Sequence, residues 1–192
     1  MMSSIQVSLC LLIAVGCYQA LVQAQLFERG NCPEVKAIPD FNLSEYVGKW
    51  YENRKTISNF QNRMAQRCVN VQFNETDGKI VVKNSGIQRF TRRNIVLSGN
   101  ARHPDATKGE FVVNFLGNAS YADEKFLILG TDYKSYSVLW SCVNVGPAQL
   151  YNLWVHTRDP NPSSETIEMA LDVVKRNALD ETKLRMTNRR NC

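Results

Sequence analysis

Two serines, the two histidines and four of the six cysteines are the residues of this chain best suited to bond-making chemistry, and their setting argues against most of it. Ser137 and Ser141 are candidate nucleophiles. A serine hydroxyl needs an adjacent base and an oxyanion site, and His103 and His156 are the only histidines available. The plainer reading makes both serines small residues that leave room for a ligand, and His156 a packed or hydrogen-bonded core histidine. No His, Cys, Asp or Glu cluster has metal-ligand spacing, and one lone histidine is poor support for haem. Met64 is a candidate for reversible oxidation to sulfoxide, against the plainer role of a gap-filling contact. The 23 Lys and Arg against 18 Asp and Glu give a formal charge of +5. They are scattered, without zinc-finger or RNP spacing, so nucleic acid is not indicated. The chain therefore reads as a binding protein and not an enzyme, with no metal and no cofactor.

Ile5 to Ala24 carries no charged residue, and its apolar heart, Leu9 to Val15, is too short to span a bilayer. Val22-Gln23-Ala24 offers side chains that a signal peptidase reads. Residues 1–24 are expected to be a secretory signal peptide and residues 25–192 one mature extracellular domain. Cys10 and Cys17 leave with the signal, so Cys32, Cys68, Cys142 and Cys192 remain. An even number in an oxidising compartment implies two disulfides, and the sequence alone leaves three pairings open. Asn42, Asn74 and Asn118 each begin an Asn-x-Ser/Thr glycosylation sequon, whereas Asn161 is disqualified by Pro162. Asn74 and Asn118 are favoured because both sit near predicted turns.

The elements that must position these groups are mostly strands. Short apolar runs recur about every dozen residues, separated by turn-rich stretches. Strands are predicted over Lys49 to Thr56, Gln66 to Asn74, Lys79 to Ser85, Asn94 to Arg102, Glu110 to Leu116, Lys125 to Thr131, Tyr136 to Val143 and Leu150 to Thr157. Asp77-Gly78 marks a tight hairpin. After Pro162 the period lengthens, and Ile167, Leu171, Val174 and Ala178 form the apolar stripe of one helix, capped by Ser163 or Ser164. The expected fold is all-β: an eight-stranded antiparallel up-and-down barrel, closed around an interior for a small ligand, with one C-terminal α-helix packed on its outside.

Gly48-Lys49-Trp50 on the first strand, Thr131-Asp132-Tyr133 after the sixth and Arg158 after the eighth resemble the three signature motifs of the lipocalin family. Trp50-Tyr51-Glu52 and the four cysteines are similar to the branch that holds apolipoprotein D, insect Lazarillo-type and bilin-binding lipocalins. The resemblance covers Cys32 to Cys192 and implies the disulfides Cys32–Cys142 and Cys68–Cys192. It also implies structural, not catalytic, roles for Gly48, Trp50, Thr131, Asp132, Tyr133 and Arg158. In a meander the eighth strand ends where the first begins, so Arg158 should return beside Trp50 and plug the barrel base by a cation–π contact.

With Cys68 turned outward to the tail, alternation points Val69, Val71 and Phe73 inward, and on the fifth strand Phe111, Val113 and Phe115. Cys142 outward implies Ser137, Leu139 and Ser141 inward, and leaves Trp140 outside in need of cover from the helix or a partner chain. On the eighth strand Asn152, Trp154 and His156 face in, and Trp154 matches a tryptophan that lines the ligand site in the resembling branch. This apolar lining suits a small hydrophobic ligand such as a fatty acid, sterol or retinoid. Biliverdin or another bilin is the alternative, with Asn152 or His156 meeting its pyrrole nitrogens; an isomerase would require a free cavity cysteine. The resemblance further implies secretion, lipid transport and protection against oxidative stress. At the mouth, Ile57, Phe60 and Met64 in one loop and Gln88-Arg89-Phe90-Thr91-Arg92-Arg93 in the next suggest contact with a membrane or lipoprotein surface.

Overall fold

The computed structural model describes residues 26–56, 66–115 and 123–192. The signal reading, Asn118 and the loop with Ile57, Phe60 and Met64 lie outside the described residues. Eight antiparallel strands follow one another: β2 (Gly48–Thr56), β3 (Gln66–Thr76), β4 (Lys79–Gln88), β5 (Asn94–Arg102), β6 (Glu110–Asn114), β7 (Glu124–Thr131), β8 (Tyr136–Val145) and β9 (Ala148–Thr157). β2 pairs β3 on one edge and β9 on the other, with Tyr51 opposite Thr157 and Lys55 opposite Trp154, so the sheet closes. Closure removes the exposed edges that an eight-strand meander would otherwise present.

Short elements that periodicity does not announce complete the wall. β1 (Leu26–Arg29) lies along β9 where β2 has turned away, and β10 (Leu184–Met186) lies along β2 where β3 has turned away. The one-turn helix α1 (Leu43–Tyr46) precedes β2, capped by the Asn42 side chain, which accepts from the backbone N–H of Ser44 and Glu45. Hairpin geometry also moves some expected boundaries. β3 extends to Thr76, so Asn74 sits within the ladder opposite Val81, and Asp77 and Gly78 alone turn the chain, both at positive φ. The predicted loop 144–149 contracts to a tight turn at Gly146 and Pro147, because the β8–β9 ladder runs on to Val145 opposite Ala148.

Helix α2 (Ser164–Arg176) begins where the Ser163 hydroxyl accepts the Thr166 N–H, and Lys175 and Arg176 occupy its last turn. Its buried stripe is Ala170, Val173 and Val174. Ala178, expected on that stripe, falls beyond the helix at φ +54 and is exposed. Gly130 lets the helix approach β7, since a Cβ there would lie 2.7 Å from the Val173 side chain. The helix covers an outer core of Leu129, Val138, Trp140, Leu153 and Val155, with Trp140 stacked on Tyr151 at 4.9 Å between centroids. Trp140 thus points out of the barrel as its parity demands, yet it is buried within this outer core, which removes it as an exposed partner-binding surface.

Candidate functional site

The lower end of the barrel interior is a packed aromatic layer. Tyr46 from α1 lies 5.2 Å from both Trp50 and Phe73, and Phe41 lies 5.1 Å from Tyr46 and 5.6 Å from Phe111. Burying each of these rings contributes on the order of 1.5–3 kcal/mol. Val71, Val113, Ile128 and Leu139 join the same core. Phe73 and Phe111 therefore do face inward, as alternation requires, but as the floor of the interior. His103 stacks on Phe111 at 4.9 Å, and its Nε2 meets the Lys108 carbonyl oxygen.

Arg158 closes this floor from outside. Its guanidinium carbon sits 3.7 Å from the Trp50 ring centroid, and its nitrogens donate to the carbonyl oxygens of Tyr133, Lys49, Glu45 and Tyr46 at 2.9–3.0 Å. Burial lowers the guanidinium pKa, partly offset by Tyr46 and Asp132. Gly48 must be glycine: its φ is +103, and a Cβ would lie 3.1 Å from the Arg158 Nη1. Thr131, Asp132 and Tyr133 build the facing turn. The Thr131 hydroxyl donates to the Tyr136 carbonyl and accepts from the Tyr133 N–H. Burial works to raise the Asp132 pKa, but the Ser135 hydroxyl and the backbone N–H groups of Tyr136, Ser135 and Lys134 outweigh it and hold the carboxyl below its usual range.

Above the floor the wall is aromatic and mixed. The Trp154 ring is 5.6 Å from Phe126, which is 6.3 Å from Phe115. Val69 lies beside Gly86 across the β3–β4 ladder. Ser141 pairs across β8–β9 with Asn152, and its hydroxyl donates to Glu124 at 3.0 Å. Ser137 stands opposite His156, but its hydroxyl is paired with the Tyr46 phenol at 2.9 Å. Among the described residues no hydrogen bond joins either serine to an imidazole, so the geometry contains no serine–histidine dyad. Burial pushes the Tyr46 phenol pKa up, only partly opposed by Ser137 and Arg158.

The interior also holds charge that alternation hides. A β-bulge between Glu52 and Arg54 inserts one residue, so Glu52 opposite His156 and Lys55 opposite Trp154 share the inner face. Lys55 Nζ lies 3.1 Å from Glu52 Oε1, with the two side chains 23% and 5% exposed. The same Oε1 accepts the Thr187 hydroxyl at 2.6 Å. His156 is buried, and its Nδ1 has no hydrogen-bond partner among the described residues. Burial, and then the nearby Lys55 ammonium, lowers its pKa to about 3, so it is neutral at physiological pH.

Cys32 bonds Cys142, and Cys68 bonds Cys192, closing separations of 110 and 124 residues. The lipocalin-like domain family matches residues 41–189. The Lazarillo protein of Schistocerca americana is 32% identical over 164 residues, covering 83% of this chain and 75% of the relative. The chain is a lipocalin. Apolipoprotein D of Macaca fascicularis is 26% identical over 189 residues, 96% of each chain. The solved structure of insecticyanin from the tobacco hornworm Manduca sexta superposes with a TM-score of 0.76 at 24% identity, over 87% of this chain and 90% of that one. The family is one of carriers of small hydrophobic ligands, and the signature residues of this lipocalin are the ones that seal its base. Trp154 contacts Phe126, which contacts Phe115, Val69 and Asn152 are buried, and Glu52 and Lys55 are functional candidates that sequence alternation does not find.

Proposed function

We propose that this lipocalin is a secreted carrier that holds a small hydrophobic ligand in its barrel by reversible, non-covalent encapsulation. The observation that carries this reading is an interior sealed at one end by the Arg158–Trp50 contact and the aromatic floor, and walled above by Trp154, Phe126 and Phe115. Apolar surface over a closed floor favours a lipid such as a fatty acid, sterol or retinoid. Secretion is supported by the uncharged leader and by two disulfides, which persist outside the reducing cytosol. Glycans at one or two of Asn42, Asn74 and Asn118, lipid transport and protection against oxidative stress belong to the same reading.

The loop between β4 and β5 is the proposed point of contact with membranes or lipoprotein particles. Phe90 is 74% exposed and is flanked by exposed Arg89, Arg92 and Arg93. Apolar insertion beside cations suits an anionic lipid surface. The test is native mass spectrometry with a visible absorption spectrum on protein secreted from eukaryotic cells. A colourless protein that releases lipid supports the proposal. A tetrapyrrole-sized adduct with a visible band would replace lipid by bilin. An empty barrel that takes up no added lipid would overturn it.

A further inference from the structure

We propose that the Glu52–Lys55 pair, with the unpaired Nδ1 of His156, is a head-group filter that admits a neutral hydroxyl or carbonyl end and rejects a carboxylate. The inference rests on the carrier reading and narrows it to lipids with a neutral end, sterols and retinol among those named above, excluding the ionised free fatty acid.

Lys55 faces the interior opposite Trp154, at the level of the proposed ligand wall. An ammonium has three N–H donors, and Glu52 occupies one of them at 3.1 Å. The remaining donors suit an oxygen acceptor. The charge of Lys55 is already balanced, because Glu52 is almost wholly buried and held by both Lys55 and Thr187. Arg185 stands opposite Lys55 on β10, but its Nη1 is held by the Thr182 and Leu184 carbonyl oxygens. A ligand carboxylate would bring a second negative charge against Glu52, and a buried charge lacking its own partner is strongly disfavoured. A hydroxyl or ester carbonyl meets the same donors with no net charge. His156 adds the complementary feature. Its neutral ring leaves Nδ1 unpaired on the strand position across from Glu52, and an unmet buried polar atom is a standing cost that a ligand hydroxyl relieves. Thr187 ties this group to the C-terminal tail, which Cys192 anchors to β3.

The filter is tested with three probes that share one apolar body: retinol, methyl retinoate and retinoic acid. Affinities are read by quenching of tryptophan fluorescence in the full-length secreted protein after delipidation. Retinol and methyl retinoate should bind the wild type about tenfold or more tightly than retinoic acid, the scale of one unpaired buried charge partly relieved by solvent. Glu52→Gln frees the Lys55 charge and should tighten retinoic acid by about tenfold while leaving retinol within about threefold. The double variant Glu52→Gln/Lys55→Met removes both charges without stranding either one. It should weaken retinol and keep the acid weak. Retinoic acid binding the wild type as tightly as retinol, or Glu52→Gln leaving acid affinity unchanged in a folded protein, overturns the filter alone. If none of the three binds the wild type, the carrier reading fails and the filter with it.

Discussion

Lowering the pH from 7 to 5 should remove about 2 kcal/mol of stability through His156 alone. Burial and the neighbouring Lys55 depress the folded-state pKa of His156 to about 3, against 6.5 for the unperturbed side chain. Between those values the unfolded chain binds a proton that the folded chain refuses, so stability is complete above about pH 6.5 and is lost progressively as pH falls toward about 3. The slope inside that window is about 1.4 kcal/mol per pH unit, and the 1.5 units from 6.5 to 5 give the stated loss. For a domain of this size that corresponds to a fall in Tm of roughly 4–8 °C. Hydrogen-bonded carboxylates such as Asp132 lose their contribution mainly as pH falls through the unfolded carboxylate range toward their lowered folded pKa, beneath about pH 5. The assay is thermal and urea unfolding at pH 7, 6 and 5 and constant ionic strength, comparing the wild type with His156→Gln. The substitution is free to change stability at pH 7; the slope against pH is the readout. Parallel losses in the two proteins would refute the reasoning, since His156 would then titrate as though hydrated.

Arg158→Lys keeps the charge but loses the planar fork that reaches four carbonyl oxygens, and should cost about 2–3 kcal/mol, seen as a lower urea midpoint with unchanged m. A midpoint equal to wild type would mean that the base seal is held by packing alone. Cys68→Ser with Cys192→Ser opens a separation of 124 residues and should cost up to about 4–5 kcal/mol in the chain-entropy account. By loosening the tail that carries Thr187, it should also weaken the preference for retinol over retinoic acid; a preference unaltered in the folded variant would show that the tail does not position Glu52.

Legibility varied with how local the responsible physics was. Trp140 and Trp154 were separable by parity because β8 and β9 pair without interruption from Tyr136–Thr157 to Val145–Ala148. The base residues were readable because Gly48, Trp50 and Arg158 have few alternatives: a positive φ, a large ring and a planar cation are each hard to replace. Lys55 was not readable. Continued alternation from Trp50 and Glu52 would send Arg54 inward, and the bulge reverses that. The buried side of α2 was also displaced toward Ala170 and Val173, because close approach at Gly130 selects the contact face and not hydrophobicity alone.

What the sequence by itself determined is the barrel: strand count, order, the single helix and the inward parity of most wall residues follow from period-two alternation and turn chemistry, which are properties of neighbours along the chain. The disulfide partners and the base seal entered through resemblance, and geometry then set them in place. Only the tertiary structure decided how deep the aromatic floor reaches, what covers Trp140, and that an ion pair stands inside the barrel beside an unpaired imidazole. Those features depend on where a ladder slips by one residue and on which distant segments, such as α1 and the tail at Thr187, return to meet it. Such contacts join residues far apart in sequence, where no local period records them.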